Sequence, residues 1–231
     1  MANASASARK PVTAEKVRRT NLDRSTATRE QILTAVVNML HDQGFAALTN
    51  AGIITSANVS SGAMMHHFPT RQALLVESVK FAYDNLSSFR VANLNRLEKG
   101  LPRFRALIDL AWATSRMPDG IAVNEIRIGA RSNPDLAVAP SPSLMGIASN
   151  YARFIGRYTR EAGLTPTADV QALSATSAMA VRSLAIDRFT NPSPQMVVNV
   201  LVGLRTMREN IIAKQLGEDK RIDPSRPNIE L

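Results

Sequence analysis

Residues 48–75 constrain the fold of this chain more than any other stretch. They read LTNAGIITSANVSSGAMMHHFPTRQALL, in which two short helical segments meet at a turn centred on Asn58. Asn tolerates the left-handed backbone conformation that a helix needs in order to stop and reverse. Thr49 and Ser60 stand where N-caps are needed, since each can accept a hydrogen bond from a free amide of the helix that follows. The pattern predicts a helix-turn-helix, although an ordinary helical hairpin gives similar local signals.

The rest of the chain also has the spacing of helices. Residues 29–43 are predicted to form an amphipathic helix capped by Thr28, and residues 69–96 a long helix. Residues 133–143 contain three prolines and are predicted to form a loop. We therefore expect an all-α fold, with a three-helix N-terminal unit and a larger C-terminal helical domain. The further helices are expected over residues 102–117, 121–131, 144–162, 167–190 and 194–216.

A longer pattern surrounds the turn. Its elements are Gln31-Ile32-Leu33, Gly44-Phe45, Leu48-Thr49, Val59-Ser60-x-Gly62, His67-Phe68 and Thr70-Arg71-x-Ala73-Leu74-Leu75. In this order and spacing, the stretch 29–75 resembles the N-terminal domain of the TetR family of transcriptional regulators. The chain departs from the family pattern at two positions. Asn58 replaces the usual glycine of the turn, and Met65 replaces a tyrosine whose hydroxyl reaches a DNA phosphate.

The resemblance implies a sequence-specific DNA-binding regulator, a repressor that a small molecule releases from its operator. It places Ser61, Gly62 and Ala63 nearest the base edges of double-stranded DNA, and Met65 and His67 toward the backbone. No Arg, Asn or Gln lies in this recognition helix to make a bidentate base contact, so we expect a modest direct readout. The residues expected to bind DNA are Arg24, Thr49, Asn50, Ser60, Ser61, Gly62, Ala63, Met65, His66, His67 and Arg71.

The resemblance also implies that the C-terminal domain binds an effector and pairs two copies of the chain. The effector is unidentified, and the scarcity of acids in the apolar stripes favours an apolar or amphipathic one. In each case the alternative is that the same residues simply form monomer core. The candidate ligand-binding residues are Phe104, Trp112, Met117, Met145, Tyr151 and Phe154. The candidate residues of the homodimer interface are Ala178, Val181, Ala185, Val197, Val200, Leu204 and Met207.

The ends of the chain differ in composition from its middle. The formal net charge is +9, and basic residues are frequent among the first 27, which are rich in Ala, Ser and Thr. We expect residues 1–27 to form a disordered basic arm along DNA phosphates, or else a solubilising tail. The remaining domains are expected at 28–72 for DNA binding, at 73–216 for effector binding and dimerisation, and at 217–231 as a flexible tail.

Other classes of function have little support. The chain has no cysteine, only three histidines, and no P-loop, dinucleotide, HExxH or GxSxG motif, so we expect no enzyme, no cofactor and no metal site. It has neither an apolar run of membrane-spanning length nor the apolar core of a secretory signal, so we expect no membrane partner and a cytoplasmic location. The remaining rival is an architectural DNA-binding protein that needs no effector.

Overall fold

The structure, a computed structural model, describes residues 21–132, 142–187, 189–190 and 193–229. Within these ranges it contains helices and no strand, which confirms the all-α prediction. None of the described helices is long and apolar enough to cross a bilayer. The helices are α1 (Asn21–Gln43), α2 (Asn50–Ala57), α3 (Ser61–His67), α4 (Arg71–Leu94), α5 (Leu101–Ser115), α6 (Pro118–Ser132), α7 (Pro142–Glu161), α8 (Ala168–Asp187) and α9 (Pro194–Leu216). Short 3-10 turns occupy Phe45–Ala47 and Glu218–Lys220.

The first helix begins earlier than predicted. Residues 21–27 belong to α1, so the expectation of a disordered arm is wrong for them, while residues 1–20 lie outside the described residues. Thr28 is not an N-cap, because its Oγ1 donates a hydrogen bond to the carbonyl oxygen of Arg24, 2.9 Å away, within a continuous helix. Residues 21–27 include neither Gly nor Pro, so nothing in this stretch stops the helix from extending.

The start of α4 also differs from the prediction. The helix begins at Arg71 rather than at Pro69, because Thr70 is the N-cap and its Oγ1 accepts a hydrogen bond from the amide of Ala73 at 3.0 Å. The short helix expected over 121–131 is longer and begins at Pro118. Most of the predicted loop over 133–143 lies outside the described residues.

One core joins the N-terminal helices to α6. Ile32, Leu33, Val36 and Leu40 of α1 are fully buried in it. Helix α6 contributes Ala122, Val123 and Ile126, and it packs against both α1 and α4. The predicted domain boundary at residue 72 therefore passes through a continuous core.

A polar contact also fastens α6 to the N-terminal helices. The amide of Phe45 donates a hydrogen bond to Glu125 Oε2 at 2.8 Å. The ring of Phe45 lies so close to Gly129 that a Cβ on that glycine would come within 2.4 Å of a ring carbon. The N-terminal unit is thus seated on α6 by one charged hydrogen bond and one close ring contact.

A second core lies between α5, α8 and α9, and charged residues are buried beside it. The two acids Asp109 and Glu209 are only 4% and 2% exposed. Arg205 Nε donates to Asp109 Oδ1 at 2.9 Å, and Arg105 and Arg208 donate to the Glu209 carboxylate at 3.0 and 2.9 Å. Burying such carboxylates requires that their remaining lone pairs also find donors.

Those donors come from the chain's last residues, so the prediction of a flexible tail is wrong for residues 218–229. The amide and the side-chain nitrogen of Asn228 donate to Asp109 Oδ2 at 2.8 and 3.1 Å. The amide of Ile222 donates to Glu209 Oε2 at 3.4 Å, and Ile229 packs against a small core around Leu94. Polar groups of this segment, whose composition suggested a flexible tail, instead donate hydrogen bonds to buried carboxylates.

Candidate functional site

The turn between α2 and α3 has the predicted geometry. Asn58 ends α2 with φ 51° and ψ 49°, the left-handed conformation, and it is the only non-glycine with positive φ among the described residues. Thr49 Oγ1 accepts a hydrogen bond from the amide of Gly52 at 3.1 Å, and Ser60 Oγ accepts one from the amide of Ala63 at 3.1 Å. Val59 is half-buried and packs against the core. These contacts confirm the predicted caps and fix the angle between the two helices.

Helix α3 shows the solvent a small, uncharged surface. Met64 and Phe68, each 3% exposed, anchor it to the core as predicted. The exposed residues are Ser61, Gly62, Met65 and His66, while Ala63 and His67 are half-buried. Thr49 and Asn50, at the start of α2, are also exposed. Since α3 carries no acid, its unpaired N-terminal amides leave a partial positive charge at its exposed start.

His67 sits in a weakly basic corner of this surface. Its ring lies 6.3 Å from that of Phe68, over which the guanidinium of Arg29 is placed at 5.5 Å. Partial burial, and then the nearby His66 and Arg29, lower the pKa of His67 below its ordinary 6.5. The ring is therefore predominantly neutral near pH 7, and an approaching anion would favour its taking up a proton from solvent.

The two arginines expected to contact DNA phosphates, Arg24 and Arg71, differ in their exposure to solvent. Arg24 is exposed on α1. Arg71 is half-buried and turned inward: its Nη2 donates to the carbonyl oxygen of Leu48 at 2.7 Å, and its guanidinium lies 5.8 Å from the ring centre of Phe45. In this arrangement Arg71 positions the start of α2, and a phosphate contact by the same side chain stays a prediction.

The close packing of α2 against α1 explains the glycine at position 52. A Cβ on Gly52 would come 2.7 Å from Cε of Met39 and 3.1 Å from Oγ1 of Thr49. The glycine weakens α2 by about 1 kcal/mol relative to alanine. In return it lets α2 approach α1 closely, so the residue contributes through packing.

A cavity of about 530 Å³ lies between α4, α5, α6, α7 and α8. Its wall is mainly apolar, and Leu75, Val79 and Leu86 of α4 face Ile126 of α6 across it. The volume lies within the range of pockets that bind small organic molecules. The start of α4 follows directly on the helix-turn-helix, and α6 packs against α1 and contacts Phe45 through Glu125 and Gly129, so the cavity borders the elements that hold the helix-turn-helix unit.

The polar groups of the cavity wall gather around two tyrosines. Arg90 Nη2 donates to Thr114 Oγ1 at 2.8 Å, and its guanidinium lies 5.8 Å from the ring centre of Tyr151. At the mouth, Arg127 Nη2 donates to the hydroxyl of Tyr83 at 2.7 Å. Burial lowers the pKa of Arg90, and burial together with the like charge of Arg127 lowers that of Arg182.

Of the six predicted ligand-binding residues, only Tyr151 lines this cavity. Phe104 is 3% exposed and belongs to the second core. Trp112 packs there too, beneath the guanidinium of Arg116 at 4.7 Å. Phe154 contacts the rings of Tyr151 and Tyr158, and its side chain does not line the cavity.

The other two candidates also lie elsewhere. Met117 is half-buried just before α6 and does not line the cavity, and the side chain of Met145 lies outside the described residues. As a description of this cavity, the prediction from aromatic and Met stripes is wrong for Phe104, Trp112, Met117 and Phe154: the three aromatic residues pack in core, and Met117 lies outside the cavity lining. The cavity residues that were missed include Arg90 and Arg182, and charged residues within apolar helices were the signal that could have found them.

The predicted dimer residues mostly face inward. Val181, Ala185 and Leu204 are 2%, 0% and 4% exposed, so assigning them to an interface is wrong, because they already pack within this chain. Ala178 lines the cavity, and Val197 and Val200 are half-buried against the second core. Only Met207 is exposed. Helices α8 and α9 and the connection between them carry a different set of exposed apolar residues: Met179, Ile186, Phe189, Met196, Val198 and Met207.

Two acidic residues outside these two regions, Asp109 and Glu125, lie apart from one another in the part of the chain that the structure describes. Within it, no three His, Cys, Asp or Glu residues come close enough to hold a metal ion. Asp109 and Glu125 are engaged by Arg205 and by the amide of Phe45, in different parts of the fold.

Comparison with known proteins adds three findings. The sequence profile of the family described as "Bacterial regulatory proteins, tetR family" matches residues 32–77, which span α1 to the start of α4. The HTH-type transcriptional regulator CymR of Pseudomonas putida is 32% identical over 81 residues, which are 35% of this chain and 40% of that protein. The chain thus matches less than half the length of this relative.

Solved structures share the fold over about four fifths of the chain. A TetR-family transcriptional regulator from Rhodococcus sp. has a TM-score of 0.59 at 17% identity, covering 81% of this chain and 98% of that one. A transcriptional regulator from Saccharomonospora viridis, solved in complex with choline, has a TM-score of 0.58 at 15% identity, covering 82% and 96%. At this identity the likeness is one of fold, in the C-terminal helices as well as the N-terminal ones.

Proposed function

We propose that this chain, which belongs to the TetR family of bacterial regulatory proteins, is a repressor of transcription that binds operator DNA as a homodimer and leaves it when a small molecule fills its cavity. The observation that carries the proposal is the helix-turn-helix itself. Asn58, Thr49 and Ser60 build it as the motif requires, and α3 is held by two buried anchors with its outer face free. As a regulator of genes, the protein is proposed to act in the cytoplasm.

The contacts with DNA follow from the exposure of α3. Ser61, Gly62 and Ala63, at the start of the helix, are proposed to face base edges in the major groove, where Ala63 can touch a thymine methyl group. Met65, His66 and His67 are proposed to lie along the backbone. Further backbone contacts are proposed for Thr49, Asn50, Ser60, Arg24 and Arg71. With so few base-reading groups, DNA shape and phosphate contacts are expected to supply much of the specificity and affinity.

A dimer follows from the size of α3 and from the outward face of α8 and α9. A recognition helix of seven residues contacts few base pairs, and a symmetric pair reading two half-sites doubles the contact. Met179, Phe189, Met196 and Met207 are 57%, 62%, 46% and 52% exposed, and Met196 and Met207 lie on the same side of α9, so self-association could remove this apolar set from water.

The cavity supports the effector-dependent part of the proposal. It borders α4 and α6, and these two helices pack on the N-terminal unit, so a ligand that moves them changes the spacing of the two recognition helices in a dimer. The Saccharomonospora structure was solved with choline, so a protein of this fold can hold a small molecule. An architectural DNA-binding protein has no need of such a cavity.

The experiment that tests the proposal is selection of bound fragments from the genomic DNA of the source organism, followed by gel shift in rising salt. A regulator should retain a few fragments with a common inverted repeat and release bulk DNA as salt increases. Broad binding of all fragments with the same salt dependence would identify an architectural protein, and no binding at all would contradict DNA recognition by this chain.

A further inference from the structure

We infer that the cavity binds a small organic acid, with an apolar body among the aliphatic side chains of α4 and α6 and a carboxylate held by Arg90, Arg127 and Arg182. The inference rests on the proposed function only in taking the cavity as the effector site. It adds the chemical class of the ligand, which follows from the charge and hydrogen-bonding groups of the cavity wall.

The three arginines converge on one end of the cavity. Arg90 lies against Tyr151, and Arg127 donates to the Tyr83 hydroxyl. Arg182, on α8, is close enough to both tyrosines and to Arg127 for their charges to affect its pKa. Three guanidinium groups from α4, α6 and α8 thus surround one small volume, in which a single anion can reach more than one of them.

These arginines lack the carboxylates that accompany the other buried arginines. Arg205 is paired with Asp109, Arg208 with Glu209, and Arg103 with Glu161. Among the residues that the structure describes, by contrast, no Asp or Glu lines the cavity or forms an ion pair with Arg90, Arg127 or Arg182. Arg90 and Arg182 are half-buried and Arg127 is exposed at the mouth. Half-buried charges without a counterion are unfavourable, and a bound anion relieves that cost.

The neighbouring polar groups are donors as well. Asn124 is 5% exposed, lines the cavity, and has no hydrogen-bond partner for its Nδ2 among the described residues. The Tyr83 oxygen already accepts from Arg127, so its own proton remains available. A ligand with hydrogen-bond acceptors can bind these donors, whereas a ligand with an ammonium group would be repelled by the three guanidinium groups.

The apolar part of the cavity lining determines which ligand body fits. Leu75, Val79, Ile126, Ile147 and Val181 present aliphatic surface, so a free phosphate or a sugar phosphate would leave its polar groups unpaired there. An aromatic or medium-length aliphatic chain fills about 530 Å³ of such space favourably. The arginines supply planar, bidentate geometry that matches a carboxylate.

The test is calorimetric titration of the full-length protein, without DNA, with two acids and their uncharged analogues. Octanoate and 4-butylbenzoate are the probes, and octanamide and 4-butylbenzamide have the same shape without the charge. We expect each acid to bind at least about tenfold more tightly than its amide, because a charge-assisted hydrogen bond is lost. Amides that bind as well as acids, or acids that do not bind at all, would overturn the inference.

Variants locate the binding to this cavity. Arg182→Gln should weaken binding of the acids about tenfold or more and leave the amides unchanged, since Arg182 lines the cavity and makes no hydrogen bond to another described residue whose loss would disturb the fold. Arg153→Gln removes the same charge from the exposed face of α7 and should leave binding unchanged. Equal loss in both variants would show a nonspecific effect of charge and refute the assignment.

A measurement of DNA affinity in the presence of the acids separates this inference from the proposed function. If the acids bind and Arg182→Gln abolishes the preference, but DNA affinity does not change on addition of acid, the ligand class is correct and the effector role is wrong. If DNA is released only by uncharged compounds, the regulator is correct and the ligand class is wrong. The two proposals therefore fail independently.

Discussion

Ser61→Glu should change the stability of the protein and its DNA affinity in opposite directions. Ser61 is the first residue of α3 and is exposed, and Ser60 Oγ already accepts from the Ala63 amide at 3.1 Å. The remaining amides of the first turn leave partial positive charge at this end of the helix. A carboxylate placed there is favourable by about 0.3 to 1 kcal/mol, so the free energy of unfolding should rise slightly.

The same carboxylate should oppose DNA. In the proposed complex, residue 61 faces a groove lined by phosphates and base acceptors. Two like charges 4 Å apart repel by about 1 kcal/mol in water and about 4 kcal/mol at the effective dielectric of a protein surface. A dimer carries two such substitutions, so the loss should be about 2 to 8 kcal/mol, which is at least about thirtyfold in affinity.

Two assays read the two effects. Chemical denaturation followed by circular dichroism measures stability, and fluorescence anisotropy with a selected genomic fragment measures DNA affinity. Ser61→Gln, of matching size but uncharged, is the control and should lose much less affinity. If Ser61→Glu bound the fragment as tightly as the unmodified protein, the placement of α3 in the groove would be wrong.

Three further outcomes are expected. DNA affinity should increase as the pH is lowered from about 8 to about 6, because a phosphate raises the lowered pKa of His67 and binding then takes up a proton. His67→Gln should weaken this dependence when anisotropy is measured across that range, and an unchanged dependence would contradict a phosphate contact by His67. Gly129→Ala should lower the free energy of unfolding in urea by up to about 2 kcal/mol, because the clash of a Cβ 2.4 Å from the ring of Phe45 outweighs the higher helix propensity of alanine. Gly146→Ala is the control: a Cβ there would meet no atom within 4 Å, so the substitution should raise the free energy of unfolding by about 1 kcal/mol. Removing residues 218–231 should cost about 2 kcal/mol or more in the same assay, because a buried carboxylate loses two hydrogen bonds; unchanged stability would show that the docked tail is not a structural element.

Local chemistry allowed the helix-turn-helix to be predicted from sequence. The roles of Asn58, Thr49 and Ser60 depend on residues within three or four positions of each, so the sequence contains the whole determinant. The start of α1 was mispredicted for a local reason as well. Thr28 can cap a helix or bond back to a carbonyl one turn earlier, and the sequence does not distinguish the two roles.

Features that depend on distant residues were not predictable in this way. Helix α8 carries small or apolar residues on several faces, so its pattern did not separate Val181, which faces the core, from Met179, which faces solvent. The docking of the tail depends on Asp109, a carboxylate 119 residues away from Asn228 in the chain. The cavity depends on five helices meeting, so the sequence could mark Arg90 and Arg182 as unusual charges but could not show that they line one space.

The central claim is that α3 from two copies of the chain lies in one DNA duplex. The chain has no cysteine, so a single Ser61→Cys substitution can carry a photo-activated cross-linker at one defined point. On a selected operator, it should cross-link to bases in two half-sites about one helical turn apart, while Lys99→Cys, exposed beyond the far end of α4, should give none. Equal cross-linking from both positions, or none from position 61 on DNA that the protein binds, would contradict the claim.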